Sequence, residues 1–181
     1  MALETTTPSP AKGDAWSTWN GLAKTKIRGH HRAMNKKEVA LKRFNEQGGN
    51  CAQAVLAAFG PELGLEEKAC LNLASCFGAG LGRLGLTCGA ATGACMVLGL
   101  RHGEEMNEGS QGRDKLYGRV QEFSRRFCAR FGNLDCATLT GCDLTSAEGR
   151  KSFADRGLHQ GLCAGLVAGA VEILEEMPDK Q

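Results

Sequence analysis

A chain of 181 residues, 42% hydrophobic and 23% charged, is long enough for one domain with a real core but not for two, and its composition excludes disorder over most of its length. With 22 basic against 20 acidic residues the formal charge is +2, too balanced to drive binding to nucleic acid or to an anionic membrane. No window reaches the roughly 18 uninterrupted apolar residues of a membrane span, and the opening MALETTTPSPAKGDAW lacks the order of an export signal, so a cytoplasmic, reducing setting is expected.

In such a setting nine cysteines, an odd number that cannot pair completely within one chain, read as reduced thiols for metal binding, redox chemistry or core packing. Residues 1–15, rich in Thr, Pro, Ser, Ala and Gly, read as a disordered tail. Residues 16–34 form a basic arm in which Trp16 and Trp19 pack against the body of the chain. The basic run continues from Lys24 to Arg43 against the single acid Glu38 and reads as a solvated face; His30 and His31 within it read as a solvated pair.

Residues 35–177 form the helical domain. Asn35 caps a helix to about Gln47 with Val39, Ala40 and Phe44 at helical spacing, and Gly48-Gly49 stops it. Asn50 caps the next, CAQAVLAAF, which places Cys51, Val55 and Phe59 on one inward face before Gly60-Pro61 closes it. A third helix spans Glu66 to about Phe77, followed by FGAGLGRLGLTCGAATG, whose glycines require sharp turns or close backbone approach.

A small-sided buried helix runs from about Gly89 to Leu100, with Cys88 in its opening turn. RHGEEMNEGSQG reads as a polar loop, with His102 in it, and Asp114 to Phe131 as an amphipathic helix with Leu116, Val120, Phe123 and Phe127 on one stripe. Cys136 opens a short apolar turn. A last helix, Ser152 to Met177, carries Leu158, Leu162, Leu166, Ala170 and Leu174 on one side, Cys163 beside them and His159 on its surface. No alternating β-branched run occurs, so the fold is expected to be all-α, a bundle of about six helices with little or no sheet.

No C-x-x-C, C-x-x-C-H or paired zinc-ribbon spacing occurs, which removes the usual support for zinc fingers, thioredoxin chemistry and covalent haem. The set that remains is distributed: Cys51, Cys88, Cys136 and Cys163 lie in four segments, each near a helix end or on an inward face. Cys70, Cys76, Cys95, Cys128 and Cys142 read as core packing. Among these, Cys95, seven residues after Cys88, is the candidate for an extra ligand or resolving thiol, and Cys142 comes next. Gly80, Gly82 and Gly85 satisfy G-x-G-x-x-G, but without a preceding strand the segment reads as a packing turn near the cysteines. No catalytic triad or P-loop stands out.

The blocks NCAQAVLAAF, TCGAATGACMVLGL and FGNLDCATLTG, followed by a helix bearing Cys163, resemble the redox-active protein family labelled by the pattern C…GCAxxG…C…C, over about residues 36–176. The central block, Cys88-Gly89-Ala90-Ala91-Thr92-Gly93, departs from the letter order of the label. The resemblance implies a helical redox protein related to the helical domain of split-Soret cytochromes. It further implies that Cys51, Cys88, Cys136 and Cys163 are metal ligands of an iron–sulfur cluster serving electron transfer, with no covalent haem.

Chemistry permits this, since cluster iron takes thiolates and a helix N-terminus favours them. The alternatives are a thiol/disulfide oxidoreductase, with Cys88 attacking and Cys95 resolving, another metal such as zinc in a non-redox binding or interaction module, and buried structural cysteines. Expected partners are a second copy of the chain, through its small-sided helix faces, and a redox partner protein or small-molecule electron donor or acceptor.

Overall fold

The computed structural model describes residues 34–178. The expectations for the tail, for Trp16 and Trp19, and for His30 and His31 fall outside them. The described chain is all-α: α1 (Lys36–Asn45), α2 (Cys51–Phe59), α3 (Glu67–Ala74), α4 (Gly89–His102), α5 (Ser110–Phe131), α6 (Cys136–Thr140), α7 (Ala147–Asp155) and α8 (Ala164–Glu176). Its sole extended pairing among the described residues is an isolated antiparallel bridge between Thr87 and Asp135.

The first two helices begin on complete capping boxes. Asn35 Oδ1 accepts the Glu38 N–H at 2.9 Å while Glu38 accepts the Asn35 N–H at 3.0 Å, and Asn50 with Gln53 repeats the arrangement. Asn50 also donates to the Ala74 and Ser75 carbonyls, tying the start of α2 to the end of α3. Because every residue from Ala54 to Phe59 is buried, α2 is a central helix, packed against α1, α3, α4 and α8.

Small residues set the closest approach. A Cβ on Gly93 of α4 would stand 2.8 Å from the Ala52 carbonyl oxygen, and one on Gly169 of α8 would stand 2.3 Å from the Phe131 ring. The amphipathic stripe of α5 is as expected, with Phe123 and Phe127 fully buried. In the described part of the basic run, Lys36, Lys37 and Arg43 pair with Glu62, Glu172 and Glu67, so this face is knit to the domain rather than merely solvated.

Two expectations about elements are corrected. The polar loop after Leu100 is mostly helical: α4 continues through His102, a 3-10 turn spans Gly103–Glu108, and α5 starts at Ser110. His102 is buried rather than a loop residue. Its ring faces Glu105 at 3.5 Å, Arg119 binds the same carboxylate at 2.9 Å, and Gly112 lets α5 close on the Glu105 backbone. The single C-terminal helix is in fact α7 and α8, bent by 71° across a break where Gly157 has φ +59°. A π turn, His159–Cys163, then leads into α8. No single helix among the described residues is long and apolar enough to cross a membrane.

The glycine-rich segment takes a form that no sequence rule anticipates. From Ala79 to Arg83 every residue has a positive φ, between 54° and 74°, and the Gly82 N–H reaches the Gly78 carbonyl at 2.9 Å. This is one turn of left-handed helix, which costs roughly 1–2 kcal/mol at each of its three non-glycine residues. The G-x-G-x-x-G spacing therefore belongs to a packing turn, as expected.

Candidate functional site

Three members of the distributed quartet stand at helix starts, and the fourth, Cys163, lies where a π turn runs into α8. Cys51 is the first residue of α2 and Cys88 occupies the cap position of α4. Cys136 opens the short α6 behind Asp135, whose carboxylate accepts the Thr138 N–H at 2.7 Å. Cys163 closes the π turn, its N–H bonded to the Leu158 carbonyl at 2.8 Å, and directly precedes α8. All four line one cavity of about 390 Å³. At α4, whose start carries no side-chain cap, the free backbone N–H groups favour negative charge on Cys88.

Backbone pairing holds two of the four side by side. The Cys88 N–H donates to the Leu134 carbonyl and the Cys136 N–H to the Leu86 carbonyl, both at 2.7 Å, flanking the Thr87–Asp135 bridge. The left-handed turn is pressed onto them, since a Cβ on Gly80 would lie 2.7 Å from the Cys136 Cβ. Gly89 is equally confined between the Phe77 carbonyl oxygen, at 2.9 Å, and the Cys51 Cβ, at 3.0 Å. The strain of the turn is thus spent on placing Cys136 and Cys88 against the start of α2.

The four thiols differ in proton affinity. Interaction with the Cys163 sulfur, together with burial, drives the Cys51 thiol well above its ordinary value. The same interaction lowers Cys163. Burial raises Cys88, against the pull of the Ala90 and Ala91 N–H groups on its sulfur. Cys136 is pushed up to about 12 by burial and by the neighbouring Cys88 and Cys163 sulfurs.

Around the sulfurs the cavity carries Arg83, Arg150 and His159, and neither Asp nor Glu. Arg150 is committed to the Leu144 and Thr145 carbonyls at 3.1 and 2.7 Å. His159, expected on a helix surface, is stacked on Phe44 with ring centroids 4.1 Å apart. Among the described residues no three His, Cys, Asp or Glu side chains are gathered closely enough to hold a single metal ion.

Cys51, Cys88, Cys136 and Cys163 are therefore brought together, whereas Cys95 is absent from the cavity lining. Cys70 and Cys142 are buried, as core packing requires, and Cys95 and Cys128 are half-buried. Cys76, expected in the core, is exposed on the 3-10 turn after α3. Cys142 packs beside Cys136, and its sulfur accepts from Arg156 at 3.4 Å. Sequence reasoning missed Phe44, Arg83 and Arg150 as site residues. Only Arg83 had a signal, its place inside the glycine-rich turn.

A protein-family model described as "Putative redox-active protein (C_GCAxxG_C_C)" matches residues 49–177, a span that holds all four cavity cysteines. No curated protein matches the chain, and no solved structure does.

Proposed function

Since this chain belongs to the redox-active protein family marked by that cysteine pattern, we propose that Cys51, Cys88, Cys136 and Cys163 hold an iron–sulfur cluster that transfers electrons. The observation that carries the proposal is the convergence of four thiols, from four separate segments, on one cavity that no carboxylate lines among the described residues. The residues fit the group. Cluster iron takes cysteine thiolates, ordinarily four. The spread of the thiols suits several iron atoms better than one zinc ion, whose ligands all lie within about 2.3 Å of it.

Once bound, the cluster supplies a one-electron carrier. The chain's own residues do the rest. The Ala90 and Ala91 N–H groups face the Cys88 sulfur, and hydrogen bonds of this kind tune a cluster's potential. Arg83 and Arg150 add positive charge at the wall. Phe44, Leu139 and Phe153 form an apolar wall beside the sulfurs. Protein purified without oxygen is expected to be brown and to contain iron and sulfide, both lost in Cys136→Ser and in Cys163→Ser. Colourless, iron-free protein from the same preparation overturns the reading.

The placing of Cys51 and Cys163 in one cavity, with opposite shifts in proton affinity, favours a second reading, thiol/disulfide chemistry in the metal-free protein. Thiol–disulfide exchange with an organic disulfide would join these two sulfurs, the disulfide bond of the oxidant breaking and its two sulfurs taking up the two electrons and the two thiol protons to leave as two thiols. Its signature in reduced, metal-free protein is ordered alkylation. Near neutral pH Cys163, with its depressed thiol, labels ahead of Cys136, which becomes a thiolate only as pH rises toward about 12. Equal labelling of the two at neutral pH removes this reading.

A further inference from the structure

The four sulfurs occupy only part of the cavity wall. Beside them Phe44, Leu139, Leu144 and Phe153 form an apolar stretch. At about 390 Å³ the cavity falls within the ~300–1,000 Å³ of small-molecule sites. It has room for on the order of a dozen waters, and many of these would face hydrocarbon. Water with few hydrogen-bond partners is displaced at a gain by an apolar group.

The charge on the wall has one sign. Arg150 is held by backbone carbonyls, and His159 is stacked on Phe44. Arg83 differs from both: it is exposed while still lining the cavity, and among the described residues it has neither hydrogen bond nor ion pair. Its backbone is fixed at φ +74° by the left-handed turn, so the residue is positioned although its guanidinium has no partner among the described residues. The turn that presses on Cys136 thus also holds a cation, unpaired among the described residues, beside an apolar cavity that none of the described acids lines.

We infer that the cavity binds a small organic anion with an apolar, ring-sized body, its acidic group on Arg83 and its body against Phe44, Leu144 and Phe153. The site shares this cavity with the sulfurs but is formed by the wall beside them, and it does not rest on the cluster reading. A molecule seated there lies next to the sulfurs.

The test uses the full chain, both iron-free and iron-loaded, with two fluorescent probes of similar shape. One is the anion 8-anilinonaphthalene-1-sulfonate and the other the uncharged N-phenyl-1-naphthylamine. The anion is expected to bind at one site per chain, about tenfold more tightly than the amine, as a charge-assisted contact provides. Arg83→Asn keeps a residue type that tolerates left-handed backbone. It is expected to weaken the anion about fivefold and to leave the amine unchanged. Arg83→Glu should weaken the anion further, and Phe153→Ala should weaken both probes. Equal affinity for the two probes, several sites per chain, or an unchanged anion affinity in Arg83→Asn overturns the inference. Loss of the site on loading with iron also overturns it. Iron content, read separately on the same samples, decides the cluster reading independently.

Discussion

The packed region around α2, α4 and α8 and the cysteine cavity are built by opposite means. In the first, regular helices meet through Gly93 and Gly169 and bury Val, Leu and Phe side chains, with sealed caps at Asn35 and Asn50. At the cavity the backbone departs from regularity at nearly every step: a left-handed turn at Ala79–Arg83, an isolated bridge, a π turn before Cys163 and a 71° break between α7 and α8. The contrast teaches where stability is spent. Repetitive packing supplies free energy, and the irregular segments consume part of it to aim four thiols at one space.

The largest effect is expected where the two regions are most separate. Phe127 is fully buried, with Phe123 at 5.8 Å and Phe131 at 4.8 Å between ring centroids. Phe127→Ala should cost about 3–5 kcal/mol in urea unfolding while leaving the metal content of the folded fraction unchanged. Loss of metal from protein that is still folded would break the comparison, because the site would then depend on the whole core.

Gly89 sharpens it, since it belongs to both regions. In Gly89→Ala the new methyl meets the Phe77 carbonyl oxygen at 2.9 Å, the Cys51 Cβ at 3.0 Å and the Ala52 nitrogen at 3.2 Å. Forcing α2 and α4 apart here should cost about 1–3 kcal/mol and also displace Cys51 from Cys88. Gly93→Ala, one turn along, meets Ala52 and Val55 but no cysteine. Its stability loss should be similar, with metal retained. Equal metal loss in both variants would show that helix spacing alone, and not the cysteine start of α2, governs the site.

The same division explains what the sequence made legible. Capping residues and 3.6-residue spacing located α1, α2 and α5, because those signals act within a few residues of one another. Three of the quartet were also legible, since Asn50, the glycine-rich turn and the short block at Cys136 mark helix starts, whereas Cys163 was read beside the leucine stripe of a single long helix. Cavity walls were not. Phe44 and His159 stack across a long separation in the chain, and Arg83 depends on a turn whose left-handed run includes Ala79, Leu81 and Arg83, residues that avoid it elsewhere. The break at Gly157 was hidden because leucine spacing continues through it.

The smallest effect concerns that turn and has a sign that packing alone would not give. Leu81 sits at φ +64° and is 40% exposed, so its side chain contributes little burial while its backbone is strained. Leu81→Gly removes the Cβ clash of left-handed geometry, worth about 1–2 kcal/mol, against an unfolded-chain entropy cost of about 0.5–1 kcal/mol. A net gain of about 0.5–1 kcal/mol is expected in urea unfolding. Leu84 is the control: it is 59% exposed and lies outside the positive-φ residues. Leu84→Gly has no strain to relieve and should lose about 0.5–1 kcal/mol through the unfolded chain. Opposite signs from two exposed leucines three residues apart would place the strain in the backbone of the turn. A loss at both positions would mean that the leucine side chains, and not the left-handed backbone, set the stability of the segment beside Cys136.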